Sequence, residues 1–349
     1  MNAESAFNNG CRAFSERRAE AAIEAFYCAE YLGCEAGKCA AYRWQCWMLL
    51  GNFEEAWRES DAISALANGG THELWDGEPF EGKKVVIRCL HGYGDTIQFL
   101  RYAKLVRQTA ARVVVETHPE MMSLAQRVSG VDEVITWDSR FDRKLWDQQI
   151  EVMELPRAFR TSLCSIPSAV PYIHLCDRAV ARSREHLNES GRRKVGLLWA
   201  SSAWNPARCT RLRDLQPVTE NTDCDFYSFQ RGPERAELCG VSTERGIRDT
   251  AMHSPAIIDT AADLANMDLL ITVDTMAAHL AGALGTPVWL LIPFAADWRW
   301  MLDRADTPWY PATRLFRQPS GGDWKAVIAQ VAHELEHAQH TQTRYAEPS

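Results

Sequence analysis

Two short segments combine residue types that can do chemistry. The first is HGYGD, His91 to Asp95, directly after the apolar run KKVVIRCL. Gly92 and Gly94 let the backbone bend and approach a ligand, and Asp95 lands at the start of the next helix. Asp95 is then either a helix N-cap or a carboxylate facing a cleft, able to take a proton from a hydroxyl. The turn is not a dinucleotide fingerprint, because Ile97 stands where its third glycine would be. The second segment is VDTMAAH after DLLITV. Asp274 ends a strand, and Thr275, Met276 and Ala277 open a helix whose free amides and dipole suit a diphosphate. His279, one turn in, either reaches the same anion or is a satisfied structural histidine. Arg208, Arg211 and Arg213 follow a strand in one loop, and Arg231 follows FYSFQ. Guanidinium groups at strand ends either build an anion pocket or sit on a solvated surface.

Two other patterns are set aside. His333-Glu334-Leu335-Glu336-His337 spells H-E-x-x-H, but on the polar flank of a late helix with Val331 and Leu335 on its apolar face. Cys28, Cys34, Cys39 and Cys46 crowd one stretch without the paired C-x-x-C spacing of structural zinc. The eleven cysteines read as reduced thiols, many of them small apolar fillers. Trp298, Trp300 and Trp309 read mainly as core.

The elements that position these residues follow from periodicity. Residues 1–70 are helical, rich in Ala, Glu and Leu, with no proline before residue 71. A shift of 34 positions aligns Ala22 with Ala56, Glu20 with Glu54 and Leu32 with Leu66, a period like that of tetratricopeptide repeats. About two units are present, so this segment must lean on the next domain or on another subunit. Asn68-Gly69-Gly70-Thr71 marks a break. Residues 71–185 then alternate strand and helix: KKVVIRCL, a helix with Ile97, Leu100, Ala103 and Val106 on one side, RVVVET, and VDEVITW. Residues 186–335 repeat the theme with KVGLLWA, DFYSFQ, DLLITV, a helix closed by Gly285, and PVWLLIP. Residues 336–349 form a polar tail. Both halves predict parallel, doubly wound sheets facing a cleft.

At 46% hydrophobic and 24% charged residues the composition is that of a globular protein. No window approaches the roughly 18 apolar residues of a membrane span, and the first residues lack the basic start and apolar run of a secretory signal. A cytoplasmic protein is expected. A formal net charge of −8 argues against bulk nucleic-acid binding.

The runs LWDGEPFEGKKVVIRCLHGYGDTIQFLRYAKL and DTAADLANMDLLITVDTMAAHLAGALGTPVWLLIPFAADWRWMLDRADTPWYPATRLFRQ resemble the glycosyltransferase domain of bacterial tetratricopeptide-repeat proteins related to heptosyltransferases, glycosyltransferase family 9. The resemblance spans about residues 72–335. It implies an α/β GT-B fold of two Rossmann-like domains, and inverting, metal-independent sugar transfer with no cofactor beyond the nucleotide-sugar substrate. Under it Asp95 matches the general base, Asp274 a residue on the donor sugar, Thr275 to Ala277 the diphosphate-holding helix start, and His279 the histidine of that motif. Arg208 joins the donor-side cations. Arg231 stands where relatives carry a lysine, His91 where they commonly carry glutamine, and Met276 where heptosyltransferases carry glycine.

The expected partners are a nucleotide-sugar donor and a protein or glycan acceptor, with self-association or a protein partner through the helical segment. The alternative is a catalytically degenerate scaffold acting through its repeats. A GT-B epimerase or phosphorylase shares the fold.

Overall fold

The computed structural model describes residues 1–66, 75, 77–138, 146–187, 190–201, 205–240 and 246–337. The Asn68–Thr71 break and most of the polar tail lie outside them. The chain groups into two units: Met1–His174 together with Ala295–Pro311, and Leu175–Phe294 together with Ala312–Ser349. Thus the second unit takes in residues 175–185, and Ala295–Pro311, which the contiguous sequence reading assigns to residues 186–335, packs with the first. The reason is burial: this segment carries Trp300, Met301, Trp309 and Tyr310, all nearly inaccessible to solvent.

The first unit opens with four helices, α1 (Ala3–Ser15), α2 (Ala19–Tyr31), α3 (Ala36–Leu49) and α4 (Phe53–Leu66). Each packs on the next. Ala19 and Phe53, the first residues of α2 and α4, stand 34 positions apart, matching the sequence period. Small residues set the helix spacing, because Ala22, Ala29 and Ala56 are fully buried. A buried charge cluster crosses the same helices: Arg43 donates to Glu59 from Nε (2.6 Å) and Nη2 (2.8 Å), and also pairs with Glu30. The four helices lean on the rest of the unit, as their small number requires. Trp57 Nε1 donates to the Thr161 carbonyl at 2.7 Å, and Trp44 meets Trp298 edge-on at 5.3 Å.

Beyond them lies a four-stranded parallel sheet of β1 (Lys84–Arg88), β2 (Arg112–Thr117), β3 (Glu133–Thr136) and β4 (Gln148–Glu151), in the order β3-β2-β1-β4. It carries α5 (Tyr93–Phe99), α6 (Ala103–Thr109), α7 (Met122–Ala125) and α8 (Leu155–Ala158). The three central residues of β1 and of β2 are buried, as the apolar runs predict. β4 was not legible. Its text, QQIE, has one apolar residue and no alternation to show that Gln148, Ile150 and Glu151 are buried.

The second unit begins with α9 (Asp177–Arg184) and has six parallel strands: β5 (Arg193–Leu198), β6 (Cys224–Ser228), β7 (Arg248–Asp249), β8 (Leu269–Val273), β9 (Val288–Ile292) and β10 (Thr313–Arg317). Their order is β10-β9-β8-β5-β6-β7, a doubly wound arrangement with β5 and β8 central. α10 (Gln216–Thr219), α11 (Ile257–Leu264), α12 (Met276–Leu284) and α13 (Trp324–His337) complete it. Gly285 closes α12 at φ 83°, a left-handed position that favours glycine. On α13, Glu334 is bound in bidentate fashion by Arg314 at 2.8 and 2.7 Å, so the H-E-x-x-H glutamate belongs to an ion pair. Among the described residues no grouping of three or more His, Cys, Asp or Glu side chains could hold a metal ion. Nor is any described helix long and apolar enough to cross a membrane.

Gly10 of α1 faces Phe26 so closely that an added Cβ would lie 2.6 Å from the ring. Gly10→Ala should therefore destabilise the protein by about 1–2 kcal/mol despite the better helix propensity of alanine. Gly37, with nothing nearer than 3.4 Å, is the control. Urea titration should show Gly37→Ala neutral or stabilised and Gly10→Ala weakened; equal effects would refute tight packing at this crossing.

Candidate functional site

In the first unit the candidate residues gather where β1 runs into α5. Cys89 is buried, and the chain emerges at Leu90 and His91, whose imidazole is more than half exposed. Gly92 is the N-cap of α5 at φ −66°, and neither Gly92 nor Gly94 has a positive φ. What Gly92 supplies is room, because a Cβ there would sit 3.2 Å from Asp95 Oδ2.

Asp95 caps its helix and does more. Its Oδ2 accepts the Gly92 amide at 3.1 Å, so Asp95 reaches back from the third helical position to the N-cap instead of being the N-cap itself, which was one of the two sequence readings. Its Oδ1 pairs with the Arg299 guanidinium. Arg299 is itself buried and shared: Nε donates to Gln98 Oε1 at 2.8 Å, Nη1 to Asp297 Oδ1 at 2.9 Å, and the group lies 4.7 Å from the Trp298 ring centroid. Asp95 thus stands where the sequence put it, with both oxygens engaged by N–H donors. Arg299 was missed because the block ADWRW read as tryptophan packing. The only local signal was the Asp-x-Arg spacing of Asp297 and Arg299.

A second missed carboxylate lies beside this turn. Glu151 ends β4, with its side chain 7% exposed. Its Oε2 accepts the Met153 amide at 2.7 Å, and the Leu90 amide also bonds the carboxylate. Among the described residues Oε1 has no hydrogen-bond partner. The cation-forming group facing it is His91, with Nε2 3.9 Å from Oε1. Burial pushes the Glu151 carboxyl up to about 7, opposed by the Met153 amide and reinforced by the nearby charges of Glu154 and Asp95.

In the second unit the carboxyl ends of β5, β6 and β8 lie along one sheet edge, since β8-β5-β6 are parallel neighbours. Asp274 follows the wholly buried β8 and is itself buried. Thr275 is the N-cap of α12, and Met276 and Ala277 fill its first turn. The first amides of a helix have no intrahelical acceptor, so this end offers donors and positive potential. Arg208 Nη1 donates to Asp274 Oδ2 at 3.3 Å and Nη2 to Ser201 Oγ at 3.2 Å. His279 Nε2 lies 3.9 Å from Asp274 Oδ1.

Thus Asp274, Arg208 and His279 are brought together at the start of α12. Of the three loop arginines only Arg208 turns inward; Arg213 faces solvent beside Asp214, and Arg211 is exposed. Arg231 is held separately, donating to the Ser254 carbonyl and, at 2.9 Å, to Thr260 Oγ1. Gln230, which the sequence reading passed over, is buried and stitches the edge: its Oε1 accepts the Trp199 and Ala200 amides at 3.2 and 2.9 Å.

No family model matches the chain. Protein FlbA of Caulobacter vibrioides is 26% identical over 327 residues, covering 82% of this chain. The chain spans about half the length of that curated relative, 53%. Among solved structures, the glycosyl transferase family 9 protein of Veillonella parvula aligns with a TM-score of 0.56 at 12% identity, over 76% of this chain and 98% of that one. The E. coli ADP-heptose lps heptosyltransferase II aligns with a TM-score of 0.52 at 14% identity, over 72% and 99%. The α/β fold with parallel sheets is that of these heptosyltransferase-like proteins.

Glu151 gives a stability prediction. Its carboxyl titrates near 7 in the fold and near 4.5 when unfolded, so the folded chain holds a proton that the unfolded chain releases between those values. The stabilisation is complete below the unfolded value and is lost as pH rises through 7, by on the order of 3 kcal/mol. Relative to Glu151→Gln, the wild type should weaken steadily between pH 5 and pH 8 in urea titrations. A gap independent of pH would refute the buried, proton-holding carboxyl.

Proposed function

We propose that this chain is an inverting glycosyltransferase that moves a heptose-like or hexose sugar from a nucleotide-diphosphate donor to a hydroxyl of a protein or glycan, without a metal. The observation that carries the reading is the start of α12 beside Asp274 and Arg208, in a chain that shares the fold of family 9 glycosyltransferase structures.

The chemistry sets two tasks. As the anomeric C–O bond breaks, negative charge develops on the diphosphate. The amides of Thr275, Met276 and Ala277, the α12 dipole and the Arg208 guanidinium meet that charge, with His279 one turn behind. Asp274 holds donor sugar hydroxyls and keeps Arg208 in place. Arg231 adds positive potential further along the same edge. On the acceptor side, Asp95 orients the attacking hydroxyl, and Arg299 fixes the carboxylate in one rotamer. The four helices, with their 34-residue spacing and buried alanines, serve as a tetratricopeptide-like surface for an acceptor protein or a second subunit. A cytoplasmic setting is part of the same proposal.

The rival scaffold reading draws on His91 and Met276, which stand where relatives commonly carry glutamine and glycine. Isothermal titration with ADP, UDP and GDP and their sugars separates the two. Binding of one of them, with Arg208→Ala weakening it about 10- to 100-fold, is expected. Asp95→Asn should cut transfer about 100-fold while leaving nucleotide affinity within twofold. Failure of every nucleotide to bind a folded sample would overturn the transferase reading. Tight binding with no transfer to any acceptor tried would favour the scaffold.

A further inference from the structure

Along the carboxyl edge of the first unit's sheet, aromatic rings stand in a row, one after each of three neighbouring strands. Tyr93 opens α5 after β1, His118 directly follows β2, and Trp137 directly follows β3, its amide donating to the Thr117 carbonyl at 3.2 Å. The Tyr93 and His118 ring centroids lie 5.4 Å apart, and His118 meets Trp137 edge-on at 5.2 Å. Trp137 is 43% exposed, and it alone of the described tryptophans ranks among the exposed large apolar side chains. An indole left in water forfeits apolar burial, and here a neighbouring ring holds it in one orientation.

Hydrogen-bonding groups border the rings. The Glu120 amide donates to His118 Nδ1 at 3.2 Å, which places the proton of the neutral imidazole on Nε2. Tyr93 Oη donates to Glu120 Oε2 at 2.9 Å and lies 3.0 Å from His118 Nδ1. Burial, together with that bond to Glu120, pushes the Tyr93 hydroxyl up to about 12, so it stays a donor and holds the carboxylate in place. Glu120 is exposed and keeps acceptor capacity, because a carboxylate offers about four lone-pair sites.

An indole face beside a carboxylate and an N–H donor matches the two chemistries of a sugar ring. A pyranose has a face of weakly positive C–H groups, which suits the negative face of an indole. Its rim of hydroxyls both donates and accepts, and so answers the Glu120 carboxylate and the His118 Nε2–H. A purely apolar partner would leave those polar groups without a match. We propose that Trp137, His118 and Glu120 form an acceptor subsite for a neutral pyranose, so that the acceptor is a glycan. The inference rests on the transferase reading and names the class of its acceptor. Neighbouring strands lie about 4.8 Å apart, so the edge from the turn after β1 to Trp137 after β3 spans about 10 Å, the reach of a short oligosaccharide. The reacting hydroxyl meets Asp95, and a sugar further along the acceptor stacks on Trp137. Glu120, with the exposed Asp138 next to Trp137, disfavours acidic sugars.

The test uses the full chain labelled with fluorotryptophan, with the Trp137 fluorine NMR signal assigned by its loss in Trp137→Phe. Cellobiose, maltose, lactose and chitobiose are titrated to tens of millimolar. At least one should move the Trp137 signal saturably. By saturation-transfer NMR, Trp137→Ala should weaken that sugar about 10-fold, Trp137→Phe less, and Glu120→Gln about fivefold. Methyl β-glucuronide should bind about fivefold more weakly than methyl β-glucoside. Titration of Trp137→Ala with ADP, UDP and GDP should match the wild type within twofold, which also reports a folded sample. A Trp137 signal that no neutral sugar moves, or an affinity unchanged in Trp137→Ala, would overturn the subsite while nucleotide binding kept the transferase reading. Equal binding of glucuronide and glucoside would overturn the preference for neutral sugars. Sugar binding at Trp137 in a chain that binds no nucleotide would overturn the acceptor role together with the transferase reading.

Discussion

The ion pair between Asp95 and Arg299 joins residues 204 positions apart and governs the turn between β1 and α5. It anchors Ala295–Pro311 to the end of β1, and it determines what the Asp95 carboxylate can do. A carboxylate free at a helix start would be a helix cap or a base. One gripped by a buried guanidinium, itself held by Gln98 and Asp297, is a fixed acceptor that points one way. Breaking the pair would leave a mostly buried arginine with part of its charge uncompensated, a costly state. The tryptophans around it serve the same end. Trp300 and Trp309 are core, and Arg101 ties the Trp309 carbonyl to the helix region that follows Asp95.

The constellation at the start of α12 rests on a different principle. There the charge is delocalised over a helix end, and the side chains trim it. Asp274 and Arg208 neutralise one another in a buried position, so the helix start carries no large net charge from this pair. Gln230 holds the ends of β5 and β6 in register through four hydrogen bonds from one amide group, two accepted and two donated. This edge sets a helix start beside a buried ion pair in a protein with a net charge of −8.

Much of this was legible in the sequence. The apolar runs of β1, β2, β5, β6, β8 and β9 announced parallel strands because both of their faces are buried, and buried strands need continuous hydrophobic text. Asp95, Asp274 and the start of α12 followed from strand–turn–helix order, and Gly285 marked the end of that helix through its backbone freedom. The 34-residue spacing foretold four helices that must pack on something else. β4 was hidden because it is an edge strand whose buried residues include Gln148 and Glu151, polar groups whose burial is decided by their partners.

The sequence by itself determined the strands, the helices and the turns that carry Asp95 and Asp274, because those depend on neighbours a few residues away. Only the tertiary structure decided that Arg299 grips Asp95, that Arg208 rather than Arg211 or Arg213 turns toward Asp274, and that Glu151 lies buried opposite His91. Each of these is a contact between distant segments, and the energy of a charge depends on which partner and how little water surround it. Local pattern carries no record of either.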